Sequence, residues 1–351
     1  MNEKTLFKSA IATLVVVVVV VLGYEFYLRN QGCQIDYDDG PPLWADKRDK
    51  TNGPVDQTIV FIGSSRIKYD LDRETWEKLT NVNAVQLAME GSCPRPVLTD
   101  LANDVNFKGK LVIDVTEGLF FNAAPPFMET PNENIKYFYD RTPAQQVSFQ
   151  LNKILESQFV FLDKDYKSIN AQLEELQLKS RPGVFMMPNF PMNFKRNTFD
   201  RQAYMTDSFV ANEVECNQVK AIWDMFAKMA KSAPPMPPQA FDAMFQSVKK
   251  DIDKIKARGG QVVFVRTPSS GVYLQGENMG FPREKFWNRL LKETNCPGIH
   301  FMDYPAIAHF DCPEFSHLKK SDATLFTKEF FRLLSQQPGF TFLQNSNPKK
   351  V

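Results

Sequence analysis

The sequence predicts an α/β fold in which a parallel sheet is covered by helices on both faces. Short apolar runs typical of buried strands alternate with helical spacing, first over residues 58–115 and again over residues 239–335. Alternation of strand and helix is the pattern of a parallel sheet, because each helix returns the chain to the same edge. The loops after the strands would then lie together at the edge where such sheets bind ligands.

The first half of the predicted sheet contains three strands. Residues 58–62 form an apolar run that ends at a glycine, which is a typical strand boundary. The two segments between the strands have the apolar spacing of helices that pack on a sheet. In order, the predicted elements are strand 58–62, helix 73–79, strand 84–88, helix 95–106 and strand 111–115.

The second half of the sheet begins with a long predicted helix, residues 239–258. It is followed by Gly259-Gly260, and glycine is the residue that most readily adopts the left-handed conformation at a helix C-terminus. The remaining predicted elements are strand 261–266, helix 283–294, strand 299–302 and helix 321–335.

A long insertion separates the two halves. Helical spacing over residues 143–178 predicts a mainly helical insertion or cap that shapes access to the sheet edge, and the proline-rich residues 233–238 predict a rigid connector. The predicted organisation is residues 1–29 as a cytoplasmic tail and signal anchor, 30–119 and 239–337 as the two parts of the sheet domain, 120–238 as the insertion, and 338–351 as a polar tail.

The N-terminus predicts a membrane anchor. Lys4 and Lys8 precede an uncharged run, residues 9–24, that includes seven consecutive valines. This run is near the short limit of about 17–25 residues for a bilayer-spanning helix, and lysine and tyrosine side chains at its ends extend the span. The positive-inside rule predicts a cytoplasmic N-terminus and an exported body. A cleaved signal peptide, with Val21-Leu22-Gly23 as the cleavage site, is the alternative.

The composition is that of a globular protein. The chain has 351 residues, of which 43% are hydrophobic and 24% charged, and its net charge of +1 argues against nucleic-acid binding. The sequence contains no glycine-rich phosphate loop and no His/Cys cluster with metal-ligand spacing, so it predicts no cofactor and no metal site. An oxidising compartment would permit a disulfide among the five cysteines, Cys33, Cys93, Cys216, Cys296 and Cys312.

Two segments at opposite ends of the sheet domain suggest a nucleophile and its base. Gly63-Ser64-Ser65 follows the first strand, and one of only three histidines, His317, lies just before the last helix with Asp311 and Glu314 upstream. A serine hydroxyl becomes a strong nucleophile when an imidazole removes its proton, and a carboxylate fixes the tautomer of that imidazole. We expect Glu314 to be the orienting acid, with Asp311 as the alternative.

These segments resemble two motifs of the SGNH, or GDSL-like, hydrolase superfamily. Gly63-Ser64-Ser65 stands where the family has Gly-Asp-Ser, which makes Ser65 the matched nucleophile, and Glu314-Phe315-Ser316-His317 stands for Asp-x-x-His. The resemblance implies a flavodoxin-like three-layer parallel sheet, with the amides of Ser65 and Gly91 in the oxyanion hole. The third family block, which normally supplies an Asn, is replaced by Asp114-Val115-Thr116-Glu117-Gly118.

The resemblance also implies a function. Membrane-attached members of the superfamily modify cell-envelope polysaccharides, so we expect a bacterial inner-membrane protein with a periplasmic or extracytoplasmic serine esterase or O-acyltransferase domain. Its expected partners are an acylated glycan or acyl donor, with acetyl as the expected group, a multi-pass membrane acyltransferase, and the bilayer through residues 9–24. The missing Asn and the Glu-for-Asp exchange leave open a catalytically inactive binding or assembly subunit. A lipid-directed hydrolase would need an apolar groove beside Ser65.

Four further side chains are candidates for substrate binding. Arg66 follows the nucleophile and could bind an anionic sugar or phosphate, with a structural salt bridge as the alternative. Arg266 ends a predicted strand and could act in the site, with a structural role as the alternative. Trp44 and Arg48 precede the first strand and are candidate carbohydrate contacts, with anchoring of the linker to the domain as the alternative interpretation.

Overall fold

The computed structural model describes residues 2–174, 188–232 and 236–346. The chain divides into two units, residues 1–38 with 143–187, and residues 39–142 with 188–351. We call the first the anchor unit and the second the sheet unit. The insertion predicted at 120–238 is therefore shared between the two units, and its residues 143–187 belong with the N-terminal helix. The predicted connector, residues 233–238, lies partly outside the described residues.

A five-stranded parallel sheet forms the centre of the sheet unit. Its strand order is β2-β1-β3-β6-β7, and in the register Val60 lies opposite both Val85 and Leu111. Two short strands, β4 and β5, pair separately in an antiparallel ribbon. The strands are β1 Thr58–Ile62, β2 Asn83–Gln86, β3 Lys110–Asp114, β4 Arg196–Asn197, β5 Ala203–Tyr204, β6 Gln261–Arg266 and β7 Gly298–His300.

Helices account for most of the remaining elements. They are α1 Glu3–Asn30, α2 Pro41–Arg48, α3 Ser65–Asp70, α4 Arg73–Leu79, α5 Arg95–Asn103, α6 Glu117–Phe120, α7 Pro126–Asp140, α8 Pro143–Glu156, α9 Ile169–Glu174, α10 Asp207–Ala211, α11 Glu213–Ser232, α12 Pro238–Ala257, α13 Gly271–Gly280, α14 Trp287–Thr294 and α15 Lys320–Leu334. Short 3-10 helices lie at Asp49–Asn52, Val160–Leu162, Met192–Phe194, Phe301–Asp303 and Thr341–Asn345.

The sheet is the middle of three layers. Along β1, Ile59 and Phe61 face one side and Val60 and Ile62 the other, because successive side chains of a strand point to opposite faces. The first face packs against α4 and α15, and the second against α5, α12 and α14. Both faces are thus buried, which explains why the strands are continuous apolar runs rather than alternating ones.

The predicted α/β fold with a parallel sheet is confirmed. Strands 58–62 and 261–266 and helix 73–79 have the predicted bounds. Helix 73–79 begins where Asp72 accepts a hydrogen bond from the Thr75 amide at 2.8 Å, which satisfies a free amide of its first turn. Helix 283–294 instead starts at Trp287, because residues 283–286 form a turn on the Pro282 carbonyl.

Four short helices of the sheet unit, α2, α3, α6 and α13, were not predicted from the sequence. The segment predicted as a polar tail, 338–351, is partly packed, since Phe340 and Leu343 are buried in the core. All five cysteines lie within the described residues, and each has a free thiol.

The anchor unit contains one helix long and apolar enough to cross a membrane. α1 has 28 residues, an 18-residue window of mean hydropathy 2.5, and none of that window is buried. Its C-terminal end is different, because Glu25 and Leu28 are buried within the unit. The apolar window of the helix is therefore not buried against other parts of the protein.

Candidate active site

The carboxyl end of β1 turns sharply into α3 and presents Ser65 as the first residue of that helix. The turn requires glycine at position 63, since a Cβ there would lie 2.6 Å from Asp114 Cβ and 2.7 Å from Ile67 Cγ2. The next side chain, Ser64, is buried and its Oγ lies 2.6 Å from Thr116 Oγ1. Ser65 itself is only half-buried, so its hydroxyl remains accessible to a substrate.

Ser65, His317 and Glu314 form a continuous hydrogen-bonded chain. His317 Nε2 lies 2.7 Å from Ser65 Oγ, and His317 Nδ1 lies 3.0 Å from Glu314 Oε1. A carboxylate only accepts hydrogen bonds, so Nδ1 carries the ring proton and Nε2 is free to accept the serine proton. This is the geometry of a nucleophile, a general base and an orienting acid.

The carboxylate of Glu314 is fully buried and held by four donors. Oε1 accepts from the amides of His317 at 2.6 Å and Ser316 at 3.3 Å in addition to the imidazole, and Oε2 accepts from Trp223 Nε1. Between the acid and the base, Phe315 has φ 78°, a left-handed conformation that costs energy for a bulky side chain. Strained backbone thus places Glu314 and His317 on one side of their loop.

Asp311, the alternative acid, is exposed and takes no part in this chain of hydrogen bonds. The imidazole instead bonds the acid three residues before it, Glu314, which is the spacing of the Asp-x-x-His motif.

Aromatic rings enclose the imidazole. The centroid of the His317 ring lies 4.3 Å from that of Tyr69, 5.9 Å from Phe194 and 6.1 Å from Trp223. Phe194 and Trp223 come from the predicted insertion, whose residues 188–232 belong to the sheet unit. The insertion therefore supplies part of the wall of the site.

Trp223 is a residue of the candidate site that was not selected from the sequence. Its only sequence signal is a tryptophan on an amphipathic helix, which is more typical of core packing. In the structure it is half-buried on α11 and donates its indole N–H to the carboxylate oxygen that faces away from His317. We interpret it as a positioning residue that acts through Glu314.

We expect Trp223→Phe to slow acylation of Ser65 by about tenfold to a hundredfold, because a hydrogen bond to an ionised group contributes about 1.5–3 kcal/mol. The rate of covalent labelling of Ser65 by a fluorophosphonate measures this loss. Tyr273→Phe is the control, since that ring contacts Trp223 at 6.4 Å. If the folded Trp223→Phe variant labelled at the rate of the Tyr273→Phe variant, Trp223 would have only a packing role.

The two expected oxyanion-hole amides lie at adjoining strand ends. The Ser65 amide has no acceptor within α3, because it belongs to the first residue of the helix. Beyond β2, the Met89 amide bonds the Gly63 carbonyl at 3.2 Å, and Gly91 follows two residues later, exposed and with φ 59°. That φ favours glycine, which is consistent with a functional turn at this position.

The residues at the third block do not supply an obvious further donor. Asp114 accepts hydrogen bonds at 3.2 Å from Thr116 Oγ1 and at 3.2 Å from Thr267 Oγ1, and it is fully buried. Burial raises the pKa of Asp114 to about 6, against the opposing attraction of Arg66 and Arg266. Burial, with repulsion from Asp114, also raises the pKa of Asp70.

Asp114→Asn should change how stability depends on pH. A carboxyl whose pKa is raised by folding binds its proton more tightly in the folded state, so its contribution to stability is lost as the pH rises from about 4 through about 6. We expect the variant not to show this loss. Its free energy of unfolding, relative to that of the wild type, should rise by roughly 1–3 kcal/mol between pH 4 and pH 7. Urea unfolding of both proteins at pH 4 and at pH 7 measures this difference in the free energy of unfolding. Equal differences at the two pH values would show that folding does not raise the pKa of Asp114.

Arg66 and Arg266, both predicted as candidate substrate contacts, are buried in an ion-pair cluster. Glu277 bridges them, with Oε1 2.5 Å from Arg66 Nη2 and Oε2 2.6 Å from Arg266 Nη2. Arg266 also bonds Glu117 at 3.0 Å. Burial alone would raise the pKa of Glu277, but the two guanidinium groups hold it below its ordinary value. These contacts support the structural alternative for both arginines.

Trp44 and Arg48, the candidate carbohydrate contacts, are also buried. Trp44 donates to the Leu87 carbonyl at 3.1 Å, and Arg48 bonds Asp100 at 2.7 Å and Asp104 at 3.0 Å. Their side chains tie α2 to the rest of the sheet unit, so the alternative of linker anchoring explains both, and neither is exposed to a substrate.

Comparison with known proteins gives no independent assignment of this site. The chain matches no known protein-family model, and it has no detectable relative among curated protein sequences. The chemistry of the site must therefore be argued from its geometry.

Proposed function

We propose that this chain is a membrane-anchored serine esterase or O-acyltransferase of the SGNH/GDSL-like kind. The observation that carries the proposal is the hydrogen-bonded chain from Ser65 through His317 to the buried Glu314. The half-buried serine is accessible, and the fully buried carboxylate with four hydrogen bonds orients the imidazole, which suits acyl transfer through a serine.

The sheet topology supports the same assignment. Taken in chain order, the five parallel strands are arranged 2-1-3-4-5, which is the flavodoxin-like order of doubly wound sheets. Ser65 follows the first of these strands and Gly91 the second, so nucleophile and oxyanion donor occupy the ligand-binding edge expected for this topology.

The proposed reaction has two steps. Ser65 Oγ attacks the ester carbonyl carbon while its proton passes to His317 Nε2, and the carboxylate of Glu314 stabilises the resulting imidazolium. The amides of Ser65 and Gly91 hold the negative oxygen of the tetrahedral intermediate. The intermediate collapses to an acyl-serine as the leaving alcohol takes the proton from His317. Water or a sugar hydroxyl then attacks the acyl-serine, with His317 again as base.

The proposed setting is the bacterial cell envelope. α1 would anchor the chain in the inner membrane through residues 9–24, with Lys4 and Lys8 on the cytoplasmic side and the sheet unit outside. An envelope glycan is then the proposed acyl acceptor or substrate, acetyl the proposed group, and a multi-pass membrane acyltransferase the proposed source of acyl groups.

The test is covalent labelling of the full chain in lipid nanodiscs with a fluorophosphonate, followed by intact mass measurement. We expect one adduct on the wild type and none on Ser65→Ala. Ser64→Ala is the matched control, because Ser64 is the neighbouring serine but bonds Thr116 rather than His317. A folded wild-type chain that forms no adduct would contradict the proposal and favour a catalytically inactive binding or assembly subunit.

A further inference from the structure

Helix α8 in the anchor unit has an apolar stripe that no described residue covers. None of its residues is buried, and Val147, Leu151, Ile154 and Leu155 are 60%, 61%, 58% and 47% exposed. These residues lie on one face of α8, because residues three, four, seven or eight positions apart are on the same side of a helix. The half-buried side chains of α8 are Phe149, Lys153 and Glu156, which lie on the opposite face.

The stripe is joined directly to the polar end of the apolar helix α1. The Arg29 guanidinium donates to the Gln158 carbonyl at 2.7 Å, and the Gln158 amide donates to the Leu155 carbonyl at 2.9 Å. Two hydrogen bonds therefore connect the last turn of α1 to a residue of the stripe.

Further contacts place this connection at the end of the uncharged run of α1. Glu25 accepts from the amides of Val160 at 3.0 Å and Phe161 at 3.1 Å, and Tyr24 OH donates to the Lys167 carbonyl at 3.3 Å. All of these contacts begin where the uncharged run, residues 9–24, ends. If α1 spans a bilayer, this boundary lies at the membrane–water interface.

We propose that α8 is an interfacial helix whose apolar stripe lies in the surface of the same bilayer that α1 crosses. This inference rests on the membrane anchoring in the proposed function, but not on its chemistry. The 14 residues of α8 extend about 21 Å, which is too short to cross a hydrocarbon core of about 30 Å. One apolar face and one polar face are the features of a helix that lies in the plane of the interface.

The bilayer is favoured as the occupant because the contacts of Arg29, Glu25 and Tyr24 hold the α8 region at the end of the apolar run of α1. An exposed apolar stripe in water is unfavourable, and burial of the stripe among acyl chains removes that cost. α1 and α8 would then each contact the membrane. Residues 158–167, which follow α8 and bond the end of α1, would link the two helices. A second membrane contact restricts the tilt of the anchor unit relative to the bilayer, whereas a single spanning helix does not restrict it.

The test measures the depth of a fluorophore in the full chain reconstituted into phosphatidylcholine–phosphatidylglycerol vesicles. A cysteine is placed at Leu151→Cys, labelled with an environment-sensitive dye and quenched by lipids that carry a nitroxide near the headgroup. The background carries Cys33→Ser, because the other four native cysteines are buried. Asn152→Cys is the matched control, since it is exposed on a different face of α8. We expect quenching at least threefold stronger at position 151 than at position 152.

A third label separates the possible failures. Val18→Cys lies in the apolar run of α1, and its quenching by lipids with a nitroxide deep in the acyl chain reports whether that helix is inserted. Strong quenching at position 18 with equal headgroup quenching at 151 and 152 would overturn the interfacial helix and leave the anchor intact. Weak quenching at position 18 would overturn the anchor and this inference together, whereas fluorophosphonate labelling of Ser65 tests the chemistry separately.

Discussion

Glu314→Gln is expected to slow the acylation of Ser65 by roughly 10³–10⁴-fold, the loss seen when an orienting acid is replaced by an amide. The amide cannot match the hydrogen bonds of the carboxylate. If its nitrogen takes the place of Oε1, it faces the imidazole and the amides of Ser316 and His317, all of which are donors. If it takes the place of Oε2, it faces the Trp223 indole N–H instead.

The rate of fluorophosphonate labelling under single-turnover conditions measures this loss. Asp311→Asn is a closely matched control, since Asp311 is an acid three residues upstream that is exposed and outside the hydrogen-bonded chain. We expect it to label at the wild-type rate. If the folded Glu314→Gln variant labelled as fast as the wild type, Glu314 would not be the orienting acid.

Glu277→Gln is expected to lower the free energy of unfolding by about 3–5 kcal/mol, which is the usual effect of removing one partner from a buried ion pair. The substitution preserves the shape of the side chain but leaves the Arg66 and Arg266 guanidinium groups, both 1% exposed, without their shared charge partner. Glu117, which bonds Arg266 at 3.0 Å, is then the ion-pair partner that remains to the two arginines among the described residues.

Urea unfolding of the full chain in detergent micelles gives the difference in free energy. The control is Glu329→Gln, which breaks an ion pair with Arg332 on the surface, where the Arg332 side chain is 54% exposed. Exposed pairs contribute about 0–1 kcal/mol, so this variant should remain close to the wild type. Similar stabilities for the two variants would show that the cluster around Glu277 does not hold the folded state together.

Much of the sheet could be predicted from the sequence because each strand is an apolar run bounded by turn residues. β1 and β6 have the predicted bounds, and the alternation with helices predicted that all five strands are parallel. α3 could not be found in this way, because six residues are too few to show helical periodicity. The division of the insertion between two units was also missed, since periodicity identifies helices but does not identify their tertiary partners.

The candidate site shows the same contrast. Ser65, Glu314 and His317 could be paired from motif order, and the structure brings them into hydrogen-bond contact. The contribution of Trp223 could not be predicted, because a contact between α11 and the loop before α15 has no local signature in the chain. The structural role of Arg66 and Arg266 could not be recognised from the sequence, because their partner Glu277 lies on α13, a helix that was not predicted.

The order of strands in the sheet has a consequence for biosynthesis. β3 pairs with β6, but β3 ends at Asp114 and β6 begins at Gln261. Synthesis of the roughly 150 residues between them, at about 5–20 residues per second, takes on the order of 10 s. A half-sheet of β2, β1 and β3 that formed in that interval would have an open edge at β3, an apolar strand that other nascent chains could extend. We therefore expect newly made chains to depend on a chaperone that shields β3 until β6 emerges.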